Sequence, residues 1–110
     1  MVVKELSDDD VDLIFHALAD ATRRDIVARA IKREQSVSSL AVSYAMSFAA
    51  VQKHVAVLER AALVSKERRG REQIVRGNLD SIRRASALLD RYEALWRGRT
   101  ERIANILTDS

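Results

Sequence analysis

The chain has 110 residues, 47% hydrophobic and 32% charged, which fits one globular unit with a single core and excludes a disordered polymer. Proline is absent and glycine occurs three times, so helix is favoured almost throughout; no apolar run approaches the roughly 18 residues of a membrane span. The absence of cysteine excludes disulfides and thiolate metal sites. Together with an N-terminus, Met1-Val2-Val3-Lys4-Glu5, that lacks the apolar stretch of a secretory signal, it predicts a cytoplasmic protein.

Net charge is only +3, but it is polarised along the chain. Near the N-terminus Lys4 stands against Glu5, Asp8, Asp9, Asp10, Asp12 and Asp20. Over residues 53–76, Lys53, Arg60, Lys66, Arg68, Arg69, Arg71 and Arg76 outnumber Glu59, Glu67 and Glu72. Such a segment reads either as a solvated charged face or as a surface aimed at a polyanion.

In chain order, Ser7 or Asp8 can cap a first helix over about 8–19, with three aspartates at the positive end of its dipole. Val11, Ile14, Phe15 and Leu18 come next at helical spacing. Asp20 is the next cap candidate. Behind it Ile26, Val27, Ala30 and Ile31 form an apolar stripe, with Arg23, Arg24, Arg29 and Arg33 expected outside. Residues 32–35 read as a helix end and connection. Ser36 then opens a short helix whose Val37, Leu40, Ala41 and Tyr44 can pack. Ala45-Met46 predicts a turn, and Ser47 caps a further helix carrying Val51, Val55, Leu58 and Ala62. Strand-like content over 64–69 and 72–76 flanks Arg69-Gly70-Arg71, where glycine permits the positive φ of a hairpin turn. Asp80 or Ser81 is the expected cap of the last helix, about 80–107. That helix has a seven-residue beat: Ile82, Leu89, Trp96 and Ile103, with Ala85, Tyr92, Arg99 and Ile106 three positions later. Leu88 and Leu95 widen the stripe beyond what a small core can cover, so part of it is expected to meet a partner helix.

Helix, helix, short helix, tight turn, helix, basic hairpin, long helix is the order of a winged helix-turn-helix. The fold class expected is mainly α with a small β-hairpin wing, order α-α-α-α-β-β-α, dimeric, with one such domain over 1–110. The helix-turn-helix falls at about 37–61 and the wing at about 64–77. The second helix of the pair must bury Val51, Val55 and Leu58 while turning Ser47, Phe48, Ala49, Gln52, Lys53 and Ala56 outward. A helix N-terminus also offers free N–H groups to a phosphate.

Residues Leu40-Ala41, Met46 through Leu58 and Ala61-Ala62-Leu63-Val64 resemble the ArsR family of bacterial repressors, as does Leu18 through Val27 upstream. The resemblance spans about 11–78; Ala21 departs from a frequent proline and Ala62 from a frequent glycine. It implies a homodimer built from the first and last helices, with Val11, Phe15, Leu18, Ile82, Leu89, Tyr92, Trp96 and Ile103 as dimerisation residues. It also implies a double-stranded DNA operator as partner, one recognition helix per half-site, and repression. On that basis Gln52 and Lys53 are expected at base edges, since glutamine pairs bidentately with adenine and lysine donates to guanine. His54 is expected to touch DNA or cap locally. Ser47 and Thr22 are expected on phosphates, Phe48 beside them, and Lys66, Arg68, Arg69 and Arg71 on the backbone or minor groove.

Metal sensing in this family uses cysteine pairs on the short helix, or His and carboxylate ligands on the last one. Here Val37-Ser38-Ser39-Leu40 has no thiolate and residues 80–107 have no histidine, so no metal or cofactor site is expected. His16, beside an apolar face, reads as a packing residue. Catalysis is not expected either: His16 and His54 lie on different predicted helices, and Gly70, Gly77 and Gly98 form no phosphate loop. The alternatives are a winged helix used only for protein–protein contact, or a regulator sensing an unrecognised ligand.

Overall fold

The computed structural model describes residues 7–108, so the reading of Met1–Glu5 lies outside the described residues. The elements are α1 (Asp8–Leu18), α2 (Ala21–Lys32), β1 (Gln35–Ser36), α3 (Val37–Ser43), α4 (Phe48–Arg60), β2 (Val64–Arg69), β3 (Glu72–Gly77) and α5 (Leu79–Thr108). This is the mainly α, winged helix-turn-helix architecture, with the hairpin formed by β2 and β3.

Four helices begin on side-chain caps that satisfy otherwise orphaned N–H groups. Ser7, and not Asp8, accepts from the Asp10 amide at 3.2 Å. Asp20 accepts from Arg23, Ser36 from Ser39 and Ser47 from Ala50, at 3.0, 3.0 and 3.1 Å. For α5 the expected Asp80 or Ser81 is corrected to Asn78, whose Oδ1 accepts from the Asp80 amide at 3.2 Å. Asn78 also donates from Nδ2 to the Ala62 carbonyl at 2.9 Å, and its own amide donates to Leu63 O at 2.9 Å. One side chain thus ties the end of the wing to its beginning.

The sheet has three strands in the order β1-β3-β2, all antiparallel. Gln35 pairs with Val75 and Ser36 with Ile74, so the connection expected at residues 32–35 ends in a strand. Two residues are too few to show period-two alternation; β1 exists because β3 offers it an edge.

The core joins Ile14 and Ala17 of α1, Ile26, Val27 and Ala30 of α2, Val37 and Leu40 of α3, and Val51, Val55 and Leu58 of α4. Leu63, Val64 and Val75 of the wing and Ala85 of α5 close it. Two expected core positions are corrected. Ile31 is half exposed and lies across the wing's exit: a Cβ on Gly77 would sit 2.7 Å from Ile31 Cγ1 and 3.1 Å from its Cα. Ala62 is exposed, with Ala61 buried in its place, because α4 ends at Arg60. Ala62 takes the left-handed φ of 57° in a Schellman-type stop, with Leu63 N donating to Leu58 O at 3.0 Å and Ala62 N to Glu59 O at 2.9 Å.

Arg23, expected outside, turns back onto α1, and Arg24, exposed as expected, reaches it too. Arg23 Nε donates to Ala17 O at 2.8 Å and Nη2 to His16 O at 3.1 Å, and Arg24 Nη1 donates to Leu18 O at 2.8 Å. These bonds satisfy the carbonyls at the end of α1, and Arg23 is only 14% exposed as a result. Arg84 Nη2, 3.8 Å from Asp10 Oδ2, connects α5 to α1.

Beyond Ala85, α5 leaves the core. Its buried residues are Ser81 and Ala85, whereas Leu89, Tyr92, Leu95, Trp96, Ile103, Ile106 and Leu107 are exposed. The molecule measures 70 × 30 × 25 Å, with a radius of gyration of 18.7 Å; a compact chain of this length would have about 13 Å. Of the expected dimerisation residues, Leu18 and Ile82 pack on the chain's own core and Val11 is half-buried. Phe15, Leu89, Tyr92, Trp96 and Ile103 stand exposed. Among the described residues, no helix is long and apolar enough to cross a membrane.

Candidate nucleic-acid interface

The α3–α4 turn sets the direction of the second helix. Ala45 adopts φ 46°, Met46 packs back onto the core, and Ser47 caps α4. Tyr44, at the end of α3, donates its hydroxyl to Asp25 of α2, and Arg29 lies over its ring at 5.1 Å while bonding Asp25 at 2.9 Å. Burial, with the Asp25 hydrogen bond behind it, raises the Tyr44 phenol to about 12. The hydrogen bonds from Tyr44 and then Arg29 hold the Asp25 carboxyl below its usual range. This link fixes the helix-turn-helix to α2.

With Val51, Val55 and Leu58 buried, α4 turns Ala49, Lys53, Ala56 and Arg60 outward. Ser47 and Phe48 are exposed at its N-terminus, Phe48 at 46%. Gln52, expected to be exposed, is half-buried on the flank toward the wing; its Nε2 donates to Gln73 Oε1 of β3 at 3.4 Å. His54 sits on the opposite flank, its Nδ1 3.4 Å from Arg23 Nη1. Arg23 also lies 4.0 Å from Asp20, whose carboxyl is lowered mainly by the hydrogen bond from the Arg23 amide. Thr22 is half-buried in the first turn of α2.

The wing presents two different faces. Lys66, Arg68, Gln73 and Val75 share the face toward α4 through the registers Lys66↔Val75 and Arg68↔Gln73. Lys66 Nζ lies 3.9 Å from Glu59 of α4. On the other face Glu34, just before β1, receives Arg69 at 2.7 Å and Arg76 at 2.8 Å, and Glu67 lies 3.6 and 3.5 Å from the same two arginines. The Arg69 bond, then the Arg76 bond, hold the Glu34 carboxyl below its usual range. Arg69 is therefore already engaged by carboxylates. Among the described residues, Arg68 Nε reaches only the Gly70 carbonyl, at 3.3 Å, and Arg71 makes no ion pair. Gly70 supplies the φ of 63° that turns the hairpin and places these two side chains at its tip.

Arg23, Glu34, Gln73 and Asn78 are not legible in the sequence as site-shaping residues. Each acts through a partner between 16 and 42 residues away. A sequence pattern holds no signal for such pairings.

No family model matches this sequence, and no curated protein matches it. Solved structures do. An ArsR-like transcriptional regulator from Rhodococcus sp. RHA1 shares 32% identity, with 89% of this chain and 92% of that chain covered and a TM-score of 0.78. The chain belongs to the ArsR family. A second structure, of an ArsR family transcriptional regulator, superposes with a TM-score of 0.79 at 26% identity over 86% of this chain and 97% of its own. A possible transcriptional regulator for arsenical resistance is 31% identical over 70% of this chain and 80% of its own, with a TM-score of 0.65. The general role of this ArsR-family chain is that of a DNA-binding transcriptional regulator, not of an enzyme. Its α3 and α5 offer neither thiolate nor imidazole, and no group of three or more His, Cys, Asp or Glu side chains is placed to hold a metal among the described residues.

Proposed function

We propose that the protein is a cytoplasmic homodimeric repressor of the non-metal-sensing type that binds a palindromic double-stranded DNA operator. In this reading α4 lies in the major groove and the wing tip on the adjacent backbone or minor groove. One observation carries it: the outward face of α4 and the cationic wing form one continuous surface, joined by Gln52 to Gln73 and by Lys66 to Glu59. Lys53 reaches base edges from that surface, Arg68 and Arg71 reach phosphates, and Ser47 and Thr22 add hydroxyl contacts. Phe48 packs on the sugar edge. The exposed apolar stripe of α5, with Phe15 of α1, forms the interface between two copies. The metal-sensing positions of the family carry Val37, Ser38, Ser39 and Leu40 here, which supports release by a signal other than a transition metal.

The test is fluorescence anisotropy of the chain on a labelled duplex with a randomised core, across salt concentrations. Affinity is expected to fall steeply, since each phosphate contact contributes a log–log slope of about −0.9. A flat response would leave a protein–protein adaptor as the reading. Footprinting of the chain on its genome should return inverted repeats, and a reporter placed behind one should be silenced by the chain.

A further inference from the structure

We propose that Gln73, on the wing, is a positioning residue that fixes the amide of Gln52 for adenine, so that helix and wing set base preference together. The inference rests on the reading of α4 as the major-groove helix. A glutamine amide can present its oxygen or its nitrogen toward a base by rotating about its last torsion. Adenine's major-groove edge demands one arrangement, an acceptor for N6–H and a donor for N7. In this structure Gln52 is half-buried, and its Nε2 donates to Gln73 Oε1 at 3.4 Å. That bond uses one of the two amide hydrogens and leaves Gln52 with one oxygen and one N–H, the set adenine needs. Rotating the Gln52 amide alone would put two carbonyl oxygens face to face, and the bond is restored only if the Gln73 amide turns with it, so the two amides set their presentation together.

The strand backbone that carries Gln73 is held in the sheet. Gln73 pairs in register with Arg68 on β2, and the next two residues of the strand, Ile74 and Val75, are held on both sides by β1 and β2. It also shares a sheet face with Lys66 and Arg68, the face turned to α4. Gln52 thus owes its orientation to a strand more than 20 residues away.

The test selects a randomised duplex pool on the wild-type chain, then compares variants by competition at each position of the selected site. Gln73→Met keeps the side chain's length and removes the acceptor; Gln73→Glu keeps an acceptor and adds a charge. Gln73→Met is expected to lower discrimination for adenine at one position by about tenfold, with other positions and the salt slope unchanged. Gln73→Glu should keep that preference while weakening binding on every sequence, a rescue that a merely structural role would not produce. Adding Gln73→Met to Gln52→Ala should cost no further discrimination. If Gln52→Ala loses the preference and Gln73→Met keeps it, Gln73 positions nothing. If Gln52→Ala itself leaves every preference intact, the reading of Gln52 fails and this inference falls with it.

Discussion

Ala62 sits at φ 57°, where its Cβ crowds the following carbonyl, and the Schellman-type stop of α4, with the Asn78 bond to its carbonyl, holds it there. Replacing it with glycine should raise stability by about 1 kcal/mol, read as a higher urea midpoint with unchanged slope; an unchanged midpoint would mean the strain is relieved elsewhere. Lys53 belongs to the same scale. It is exposed on α4 without an ion pair among the described residues, so Lys53→Ala should leave the melting temperature alone and weaken operator binding by about 1–3 kcal/mol. Single residues are legible in the sequence where their role is local: Ser36 caps α3, Ser47 caps α4, and Gly70 turns the hairpin. They are illegible where the partner is remote. Nothing about Arg23 in a run of charged residues announces that its guanidinium closes α1 beside His54.

Among elements, the contacts that orient the helix-turn-helix and the wing are polar and titratable, so they should respond to pH. Asp25 and Glu34 have carboxyls lowered by their partners. A lowered folded pKa contributes stability above the unfolded value near 4 and loses it as pH falls through the folded one, so unfolding should be eased on the acid side. Tyr44 acts on the opposite side. Its phenol is raised from 10.0 to about 12, so its contribution is complete below pH 10 and disappears as pH climbs toward 12. Denaturant melts across that range should show an alkaline loss that Tyr44→Phe abolishes. On the wing, Glu34→Gln combined with Glu67→Gln removes both carboxylates shared by Arg69 and Arg76. Exposed ion pairs of this kind contribute about 0–1 kcal/mol, so stability should barely change. Affinity for any duplex should rise instead, with a salt slope steeper by about 1, as a released guanidinium finds a phosphate. Unchanged affinity would show that both arginines stay away from DNA. The hairpin's span is legible because strand-like content, glycine and charge all agree. The strand Gln35–Ser36 is not, because β3 creates it, and Asn78 as the α5 cap is hidden by two equally favoured cap types, Asp80 and Ser81, just beyond it.

On the scale of the molecule, α5 determines the shape. Thirty residues long and buried only near its start, it projects an apolar stripe into solvent. Trp96, the only tryptophan, lies on that stripe at 64% exposure. Its emission should shift to the blue as protein concentration rises, and the thermal midpoint should rise in parallel, as mass action requires of a dimer. Trp96→Ala or Leu89→Ala should shift sedimentation toward the monomer. The long stripe is readable from its heptads, but its division is not: Ile82 serves the chain's own core, while Leu89 onward does not. The close approach of Ile31 to Gly77 has a consequence for genetics. In a random-mutagenesis screen for lost DNA binding, substitutions at Gly77 should score as severely as those on the reading face, because a Cβ there would meet Ile31 Cγ1 at 2.7 Å and force the wing's exit and α2 to shift. The glycine would look like a DNA contact while lying at the wing's far end from its tip, and only a melt of the purified variant would tell the two apart.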